Sequence, residues 1–396
     1  MLVAYVTTYD STDVSHWSGL GFYIANCLQE AGCSLQRIGS LRQRFRNSLA
    51  ARQRLYRLVG RNFPPDREAT VLRGYADQVE HALQQCPGCQ IVFCPGTTPI
   101  AQLETRLPIV FWADSNFEAS LDFYSARKHL TRKYVRDGNA MEQAALSRCA
   151  AAIYSSDWAA ETACRNYHVD PRKVHVVPFG ANLPSTRSQR DIETLLARRP
   201  SDSCRLLLVG VDWVRKGADK AVQIAGLLNQ MGLPTELHIV GCTPPRPMPG
   251  FVVCHGFISK RSEEGRRALE ALFKEAHFFI LPSIAECYGV VFCEAHSFGV
   301  PSLATRVGGI PTAVLDGTAG LLFDLSTEPR VYAEVVLRLM RSRPDYHRFA
   351  IQAFRDYETR TNWAVAGRRV KSILETVCSD WPPGSGSRSA ASGGIP

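Results

Sequence analysis

The chain has 396 residues, of which 45 % are hydrophobic and 21 % charged, and its formal net charge is +9. The length favours two globular domains. No stretch reaches the ~18 consecutive apolar residues of a membrane-spanning helix, and the first residues, MLVAYVTTYD, lack the features of a signal peptide. These exclusions lead us to expect a cytoplasmic protein.

The 13 cysteines are odd in number and scattered along the chain, which favours reduced thiols over a disulfide framework. One close pair occurs, Cys86-Pro-Gly-Cys89. A zinc site usually needs four ligands, and no second C-x-x-C follows. We therefore predict no metal site and no redox centre.

The first half of the chain alternates short apolar strands with helices, which predicts a parallel sheet covered on both faces. The helices are expected at 19–31, 67–85 and 139–149. The predicted strands span 2–7, 90–94, 108–112, 151–155 and 174–177.

A basic segment, Arg42–Arg61, interrupts this pattern with seven arginines and no acidic residue. Apolar residues interleave with the arginines at roughly helical spacing. One interpretation is a solvated surface face; the other is a patch that meets an anionic membrane or a phosphate-bearing acceptor. No nucleic-acid-binding motif accompanies the patch, so we expect no nucleic-acid partner.

Turn-forming residues at Pro178–Pro184 and a polar stretch at Ser185–Cys204 predict an interdomain linker. Strands and helices then alternate again, which predicts a second doubly wound domain and a tail rich in Gly and Ser. The predicted helices span 217–231, 263–275, 290–298, 329–340, 345–357 and 363–377. The predicted strands span 205–209, 236–240, 251–254, 277–281, 301–304 and 320–323.

Two such domains place a cleft between them, and ligands bind beyond the carboxyl ends of the strands. After strand 277–281, Gly289 opens a helix whose first amides form an anion site. Glu286 precedes that helix, and Glu294 lies within it on a face shared with apolar residues. A diphosphate flanked by sugars would satisfy all three features.

Neighbouring turns strengthen this interpretation. Gly308 and Gly309 follow the next strand and allow close backbone approach to a ligand. Gly210 ends the first strand of the second domain, and Arg215 and Lys216 start the next helix. Cations there oppose the helix dipole, a conflict that a bound polyanion would resolve. Exposed charges without a ligand are the alternative.

Two turns of the first domain are candidates for the opposite side of the cleft. The turn after the first strand holds His16, Ser18 and Gly19, which are acceptor contacts or packing residues. Asp114 ends another strand, where it either orients a hydroxyl or caps the following helix.

The ordered series HWSG, SSDW, PFGAN, VGVDWVRKG and PSIAECYGVVFCEAHSFGVPSLATRVGGIP resembles the family 4 glycosyltransferases of the GT-B fold over about residues 1–378. Its most specific element is the pair of glutamates with seven residues between them. The resemblance implies an α/β fold of two Rossmann-like domains that face each other across a cleft. It implies residues 1–182 as the acceptor-side domain, 183–360 as the nucleotide-sugar domain, 361–378 as a helix crossing back, and 379–396 as a disordered tail.

The resemblance also implies roles for residues. Glu286 would contact the transferred sugar and Glu294 the ribose, while Arg215 and Lys216 would replace a metal ion at the diphosphate. Gly19 would lie near that diphosphate. The other donor-binding positions would be Gly210, Tyr288, Gly289, Val290, Gly308 and Gly309.

The resulting prediction is a retaining, metal-independent glycosyltransferase with no cofactor. It would use a nucleotide-sugar donor and a saccharide, glycolipid or other hydroxyl acceptor in bacterial-type polysaccharide, lipopolysaccharide or glycolipid synthesis. The alternatives are an epimerase or a phosphorylase on the same fold, or a non-catalytic sugar-nucleotide binder. A dehydrogenase is disfavoured because no G-x-G-x-x-G follows the first strand.

Overall fold

The structure is a computed structural model that describes residues 1–43, 46–58, 60, 64–123, 130–183 and 185–382. It contains two compact units, Met1–Val177 with Gly367–Pro396, and Pro178–Ala366. No helix within the described ranges is both long and apolar enough to cross a membrane. All 13 cysteines lie in these ranges, and each is a free thiol.

The first unit is built on a parallel six-stranded sheet with the order β2-β1-β3-β4-β5-β6. Its core includes Val92, Phe111 and Tyr154, which are fully buried. Its strands are β1 (Leu2–Val6), β2 (Ser34–Ile38), β3 (Ile91–Cys94), β4 (Ile109–Ala113), β5 (Ala151–Tyr154) and β6 (Val174–Val176). Its helices are α1 (Leu20–Glu30), α2 (Arg46–Leu58), α3 (Ala69–Gln84), α4 (Phe117–Phe123), α5 (Arg132–Arg148) and α6 (Asp157–Asn166).

The second unit repeats this plan with the order β12-β11-β10-β7-β8-β9. Its strands are β7 (Cys204–Val209), β8 (Thr235–Val240), β9 (Val252–Cys254), β10 (Phe278–Leu281), β11 (Ser302–Thr305) and β12 (Gly320–Phe323). Its helices are α7 (Gln189–Arg198), α8 (Ala218–Gln230), α9 (Glu263–Glu275), α10 (Val290–His296), α11 (Ile310–Ala313), α12 (Pro329–Arg341) and α13 (Arg343–Thr359), and α14 (Trp363–Asp380) begins here and continues in the first unit.

Every predicted strand is present, but β2 was missed. Its side chains alternate between exposed and half-buried, so it lacks the apolar run that marks the other strands. The segment 185–204, predicted as a linker, lies instead within the second unit, and α7 occupies half of it. A capping box between Ser188 and Asp191 starts α7, and Ile192 and Leu196 bury its apolar face.

Two other predicted segments fall partly outside the described residues. In the basic segment these are Arg44, Phe45, Val59 and Arg61; most of the remainder forms α2. In the predicted tail they are residues 383–396, while α14 continues to Asp380. Gly367 of α14 lies so close to α1 that a Cβ on it would be 2.4 Å from the Cys27 carbonyl oxygen.

Candidate active site

The second unit brings the predicted cations and Glu286 together. Lys216 Nζ donates to Glu286 Oε2, and Arg215 Nη1 lies 3.5 Å from the same oxygen. Arg215 Nη1 also donates to the Ala285 carbonyl oxygen, at 3.2 Å. Lys216 and Glu286 are only 7 % and 8 % exposed. Two turns at the carboxyl edge of the sheet, after β7 and after β10, therefore form one charged cluster.

Two glycines explain how Lys216 reaches this position. A Cβ on Gly210 would lie 2.7 Å from Lys216 Cγ, so the absent side chain leaves room for the lysine stem. Gly217 has φ +69° and faces the Pro282 carbonyl oxygen, where a Cβ would come within 2.1 Å. The sequence G-V-D-W-V-R-K-G thus fixes the lysine between two turns.

The cluster also affects a neighbouring thiol. Burial raises the pKa of Cys242 to about 11, and the nearby charges of Lys216 and Arg215 oppose part of that rise. This thiol follows β8, so three consecutive strands along the sheet contribute residues to one charged region.

Glu294 is fully buried in α10, as its apolar helix face predicts. Lys260 Nζ donates to Glu294 Oε1, and Glu294 Oε2 has no hydrogen-bond partner among the described residues. A buried carboxylate oxygen without a partner is costly and is therefore a candidate contact for a ligand hydroxyl. Lys260 was not predicted from the sequence, although a buried carboxylate such as Glu294 needs a cation nearby.

Gly289 precedes α10 with φ +87°, which favours glycine. A Cβ there would lie 2.7 Å from the Phe292 ring and 3.3 Å from Glu286 Cγ. The amides of Gly289 and Val290 precede the first helical hydrogen bond, which Phe292 N–H makes to the Gly289 carbonyl. This end of α10 offers backbone donors beside Glu286.

The side chain of Tyr288, a predicted donor-binding residue, is held in the protein interior. Its side chain is 2 % exposed, and its hydroxyl donates to the Phe179 carbonyl oxygen at 2.9 Å. The ring also packs edge-on against Phe179. Because the hydroxyl is committed to the protein interior, only the backbone of Tyr288 is left as a candidate ligand contact.

The Gly308–Gly309 turn is hydrogen-bonded to the backbone of Glu286. Gly309 N–H donates to the Glu286 carbonyl oxygen at 3.1 Å, and Gly308 has φ +52°. Arg360 donates to the Thr312 carbonyl oxygen at the end of α11, and its guanidinium pairs with Asp356. The paired glycines therefore connect the glutamate to a rigid helix end.

In the first unit, the turn before α1 has an unusual backbone. Trp17, Ser18 and Gly19 have φ values of 48°, 55° and 84°, a left-handed run of three. His16 stacks on Tyr9 with ring centroids 4.8 Å apart, and its imidazole is 3.6 Å from Asp13. Because non-glycine residues rarely adopt this conformation, the run is a candidate functional turn.

Asp114 follows β4 and is half-buried. Asn116 Oδ1 accepts from the Ala119 amide at 3.0 Å, so Asn116 contributes a cap to the following helix. Asp114 stays a candidate for hydroxyl contacts.

Two family models match the chain. Residues 22–183 match the model described as Glycosyltransferase Family 4, and residues 203–342 match the one described as Glycosyl transferases group 1. The first match covers most of the first unit and the second most of the second unit.

Curated relatives include D-inositol 3-phosphate glycosyltransferases. That of Corynebacterium diphtheriae is 23 % identical over 226 residues, which are 53 % of this chain and 52 % of the relative. That of Acidothermus cellulolyticus is 33 % identical over 192 residues, 44 % of this chain and 42 % of the relative. The chain thus spans about half the length of the curated relatives it matches.

Solved structures match nearly the whole chain. Sucrose-phosphate synthase of Thermosynechococcus elongatus has a TM-score of 0.67 at 16 % identity, covering 96 % of this chain and 99 % of that one. HepE of Anabaena in complex with UDP-glucose has a TM-score of 0.59 at 14 % identity, covering 95 % and 100 %. At these identities the likeness establishes the GT-B fold.

Proposed function

We propose that this chain, which belongs to the family 4 glycosyltransferases, moves a sugar from a nucleoside diphosphate sugar to a hydroxyl group of an acceptor. The observation that carries the proposal is the buried convergence of Lys216 and Arg215 on Glu286. The likeness to HepE, whose structure holds UDP-glucose, supports the donor class. The relatives named for D-inositol 3-phosphate support an acceptor that carries hydroxyls.

The donor divides into three parts with three sets of contacts. The ribose hydroxyls donate to Glu294, whose Oε2 has no partner among the described residues. The diphosphate meets Lys216 and Arg215, with the amides before α10 and the amide of Gly308 as backbone donors. The transferred sugar donates a hydroxyl to Glu286. Both buried carboxylates thus serve as hydrogen-bond acceptors.

In the reaction, the bond between the anomeric carbon and the phosphate oxygen breaks while the acceptor oxygen bonds to the same carbon. The acceptor attacks from the face that the diphosphate leaves, so the configuration is retained. The departing phosphate oxygen takes the acceptor proton. Lys216 and Arg215 stabilise the charge that develops on the diphosphate, and a nearly buried ammonium does so strongly. Neutralisation by these cations makes the proposed reaction metal-independent and free of a cofactor.

The acceptor side of the proposal rests on the first unit. Asp114 orients the attacking hydroxyl, and His16 and Ser18 contact the acceptor beside Gly19. Saccharides and glycolipids supply such hydroxyls, so the acceptors we propose are those of polysaccharide, lipopolysaccharide or glycolipid synthesis.

Helix α2 adds a peripheral membrane contact to the proposal. It carries arginines together with Leu55 and Leu58, which are 64 % and 83 % exposed. Apolar side chains flanked by arginines suit the surface of an anionic membrane. Leu58→Gln should weaken sedimentation with vesicles that contain phosphatidylglycerol, and unchanged sedimentation would remove this part of the proposal.

The proposal is tested with UDP, GDP and ADP sugars. One nucleotide should raise the apparent melting temperature, because it binds only the folded protein. Glu286→Gln should abolish most transfer while nucleotide affinity is kept, and NMR of the product should show the anomeric configuration of the donor. Full turnover of this variant, an epimer formed without acceptor, phosphorolysis of an oligosaccharide, or binding without transfer to any acceptor would each overturn it.

A further inference from the structure

The first unit contains a cavity of about 350 Å³. Its lining comes from α2, from the segment 67–72 at the start of α3, from the connection after β3, and from α5. Cavities of this size are at the small end of those that hold small molecules.

The cavity exists because one crossover is short. A crossover between parallel strands usually contains an α-helix. Between β3 and β4 the chain forms only a 3-10 turn, Thr98–Ile100. The space between α3 and α5 is therefore filled only partly, and Leu72, Ala101 and Met141 form an apolar wall.

Three cations from three different elements line the cavity: Arg52 of α2, Arg67 before α3 and Lys133 of α5. Arg52 Nη1 lies 2.6 Å and Lys133 Nζ 3.0 Å from the same oxygen, Glu68 Oε1. Lys133 also pairs with Asp137, another residue of the lining. One carboxylate oxygen thus holds two cations from helices that are far apart in sequence.

Arg67 is positioned more firmly than the other two. It donates to Thr98 Oγ1 at 3.0 Å, pairs with Asp66 at 3.1 Å, and lies over the ring of Phe117. Nearby carboxylates raise its pKa above the ordinary value despite its burial, so this guanidinium stays charged. A fixed fork of N–H donors is the usual partner of a phosphate.

The first turns of α3 and α5 lie at the carboxyl edge of the sheet, because each helix leads back to the amino end of the next strand. Asp114 follows β4 at that same edge. The cavity therefore lies on the side of the unit where the proposed acceptor contact is found.

We propose that this cavity binds the phosphate group of a phosphorylated polyol or sugar, and that this molecule is the acceptor. The identification as acceptor rests on the proposed function. Arg52 and Lys133 then donate their hydrogen bonds to the phosphate in place of Glu68. The guanidinium of Arg67 donates to the same phosphate. Glu68 and Asp137 then accept hydrogen bonds from ring hydroxyls, and the apolar wall packs against the C–H face of the ring.

The probes are glucose 6-phosphate and myo-inositol 1-phosphate, compared with glucose and myo-inositol. With the full chain, at least one phosphorylated probe should bind in calorimetry, and its parent should bind about tenfold or more weakly. Lys133→Met and Arg52→Gln should each weaken binding by about tenfold. Each substitution leaves the other cation on Glu68, so neither creates an unpaired carboxylate.

Arg136→Gln is the matched control. Arg136 is a cation of the same helix, three-quarters exposed, outside the cavity lining. It should leave probe binding unchanged. Binding of the nucleotide identified in the donor test should be the same in all three variants, so misfolding is detected separately.

The outcomes separate the two proposals. Nucleotide binding without binding of any phosphorylated probe overturns the cavity proposal and leaves the proposed function standing. Probe binding that Lys133→Met and Arg52→Gln do not weaken also overturns it. If only vesicles containing phosphatidylinositol bind, and both variants weaken that binding while the soluble probes fail, the site recognises a lipid headgroup. If the probes bind but are not glycosylated while the enzyme consumes the donor, their identification as acceptor fails.

Discussion

The carboxyl edges of the two sheets are built differently. In the second unit, the candidate glutamates are buried and form ion pairs, Lys216 with Glu286 and Lys260 with Glu294. In the first unit, His16 is half exposed and its turn depends on a left-handed backbone. The comparison shows that charge pairing organises the candidate residues of the second unit, whereas local backbone conformation shapes those of the first.

The largest expected effect separates Lys216 from Lys260, the two lysines that pair with the candidate glutamates. Lys216→Met should lower kcat about 10²- to 10³-fold, because it removes stabilisation of charge that develops on the leaving group. Lys260→Met should mainly raise the donor KM, since Lys260 acts on the carboxylate proposed for ribose. Steady-state kinetics with varied donor distinguish them, and an equal loss of kcat in both variants would contradict the assignment.

The two units should also respond oppositely to pH. Burial lowers the pKa of His277 and of His296 in the second unit to about 4, and it raises the pKa of Glu142 in the first unit to about 7. As pH falls from about 6.5 to 4, the unfolded second unit binds protons that the folded one does not, so it should lose roughly 3 kcal/mol of stability per histidine.

Glu142 changes the stability of the first unit with pH in the opposite direction. Its folded form holds a proton up to a higher pH, so the first unit should lose roughly 3 kcal/mol as pH rises from about 4.5 to 7. Glu142→Gln should remove that loss and stabilise the unit at pH 8, but not at pH 4. Calorimetry across this pH range tests both predicted directions. If all unfolding transitions shifted in the same direction with pH, the two predictions would be contradicted.

A smaller effect tests the left-handed turn. Gly19→Ala and Gly232→Ala place alanine at the same φ of +84°, so each should cost about 1–2 kcal/mol of unfolding free energy. Only Gly19 lies in the candidate site, and a Cβ on Gly232 meets nothing within 4 Å. We expect transfer activity to fall in Gly19→Ala alone. Equal activity in the two variants, measured below their melting temperatures, would remove the turn from the site.

The smallest effect concerns Tyr288. Tyr288→Phe removes the hydrogen bond to Phe179 and should cost about 1 kcal/mol of stability. Donor KM and kcat should stay unchanged, because the hydroxyl faces the protein interior. A raised donor KM would show that the side chain reaches the ligand after all.

Much of the fold was predictable because buried parallel strands are continuous apolar runs. Ile91–Cys94 and Phe278–Leu281 are fully buried, and their sequences reveal them directly. Ser34–Ile38 was not predictable in this way, since an edge strand needs no apolar run. Helix α7 was missed because its polar residues outnumber the two that it buries, and only its capping box marks it.

The sequence by itself determined the doubly wound pattern, the position of Glu286 and Glu294 beyond a strand, and the inward face of Glu294. These follow from local periodicity and from the order of residues along one turn. Only the tertiary structure decided that Lys260 pairs with Glu294, that Tyr288 faces inward, and that Arg52, Arg67 and Lys133 share one cavity. Lys260 and Glu294 are 34 residues apart, and Tyr288 is 109 residues from Phe179, to which it donates a hydrogen bond. Such pairings depend on how the sheet brings distant turns together.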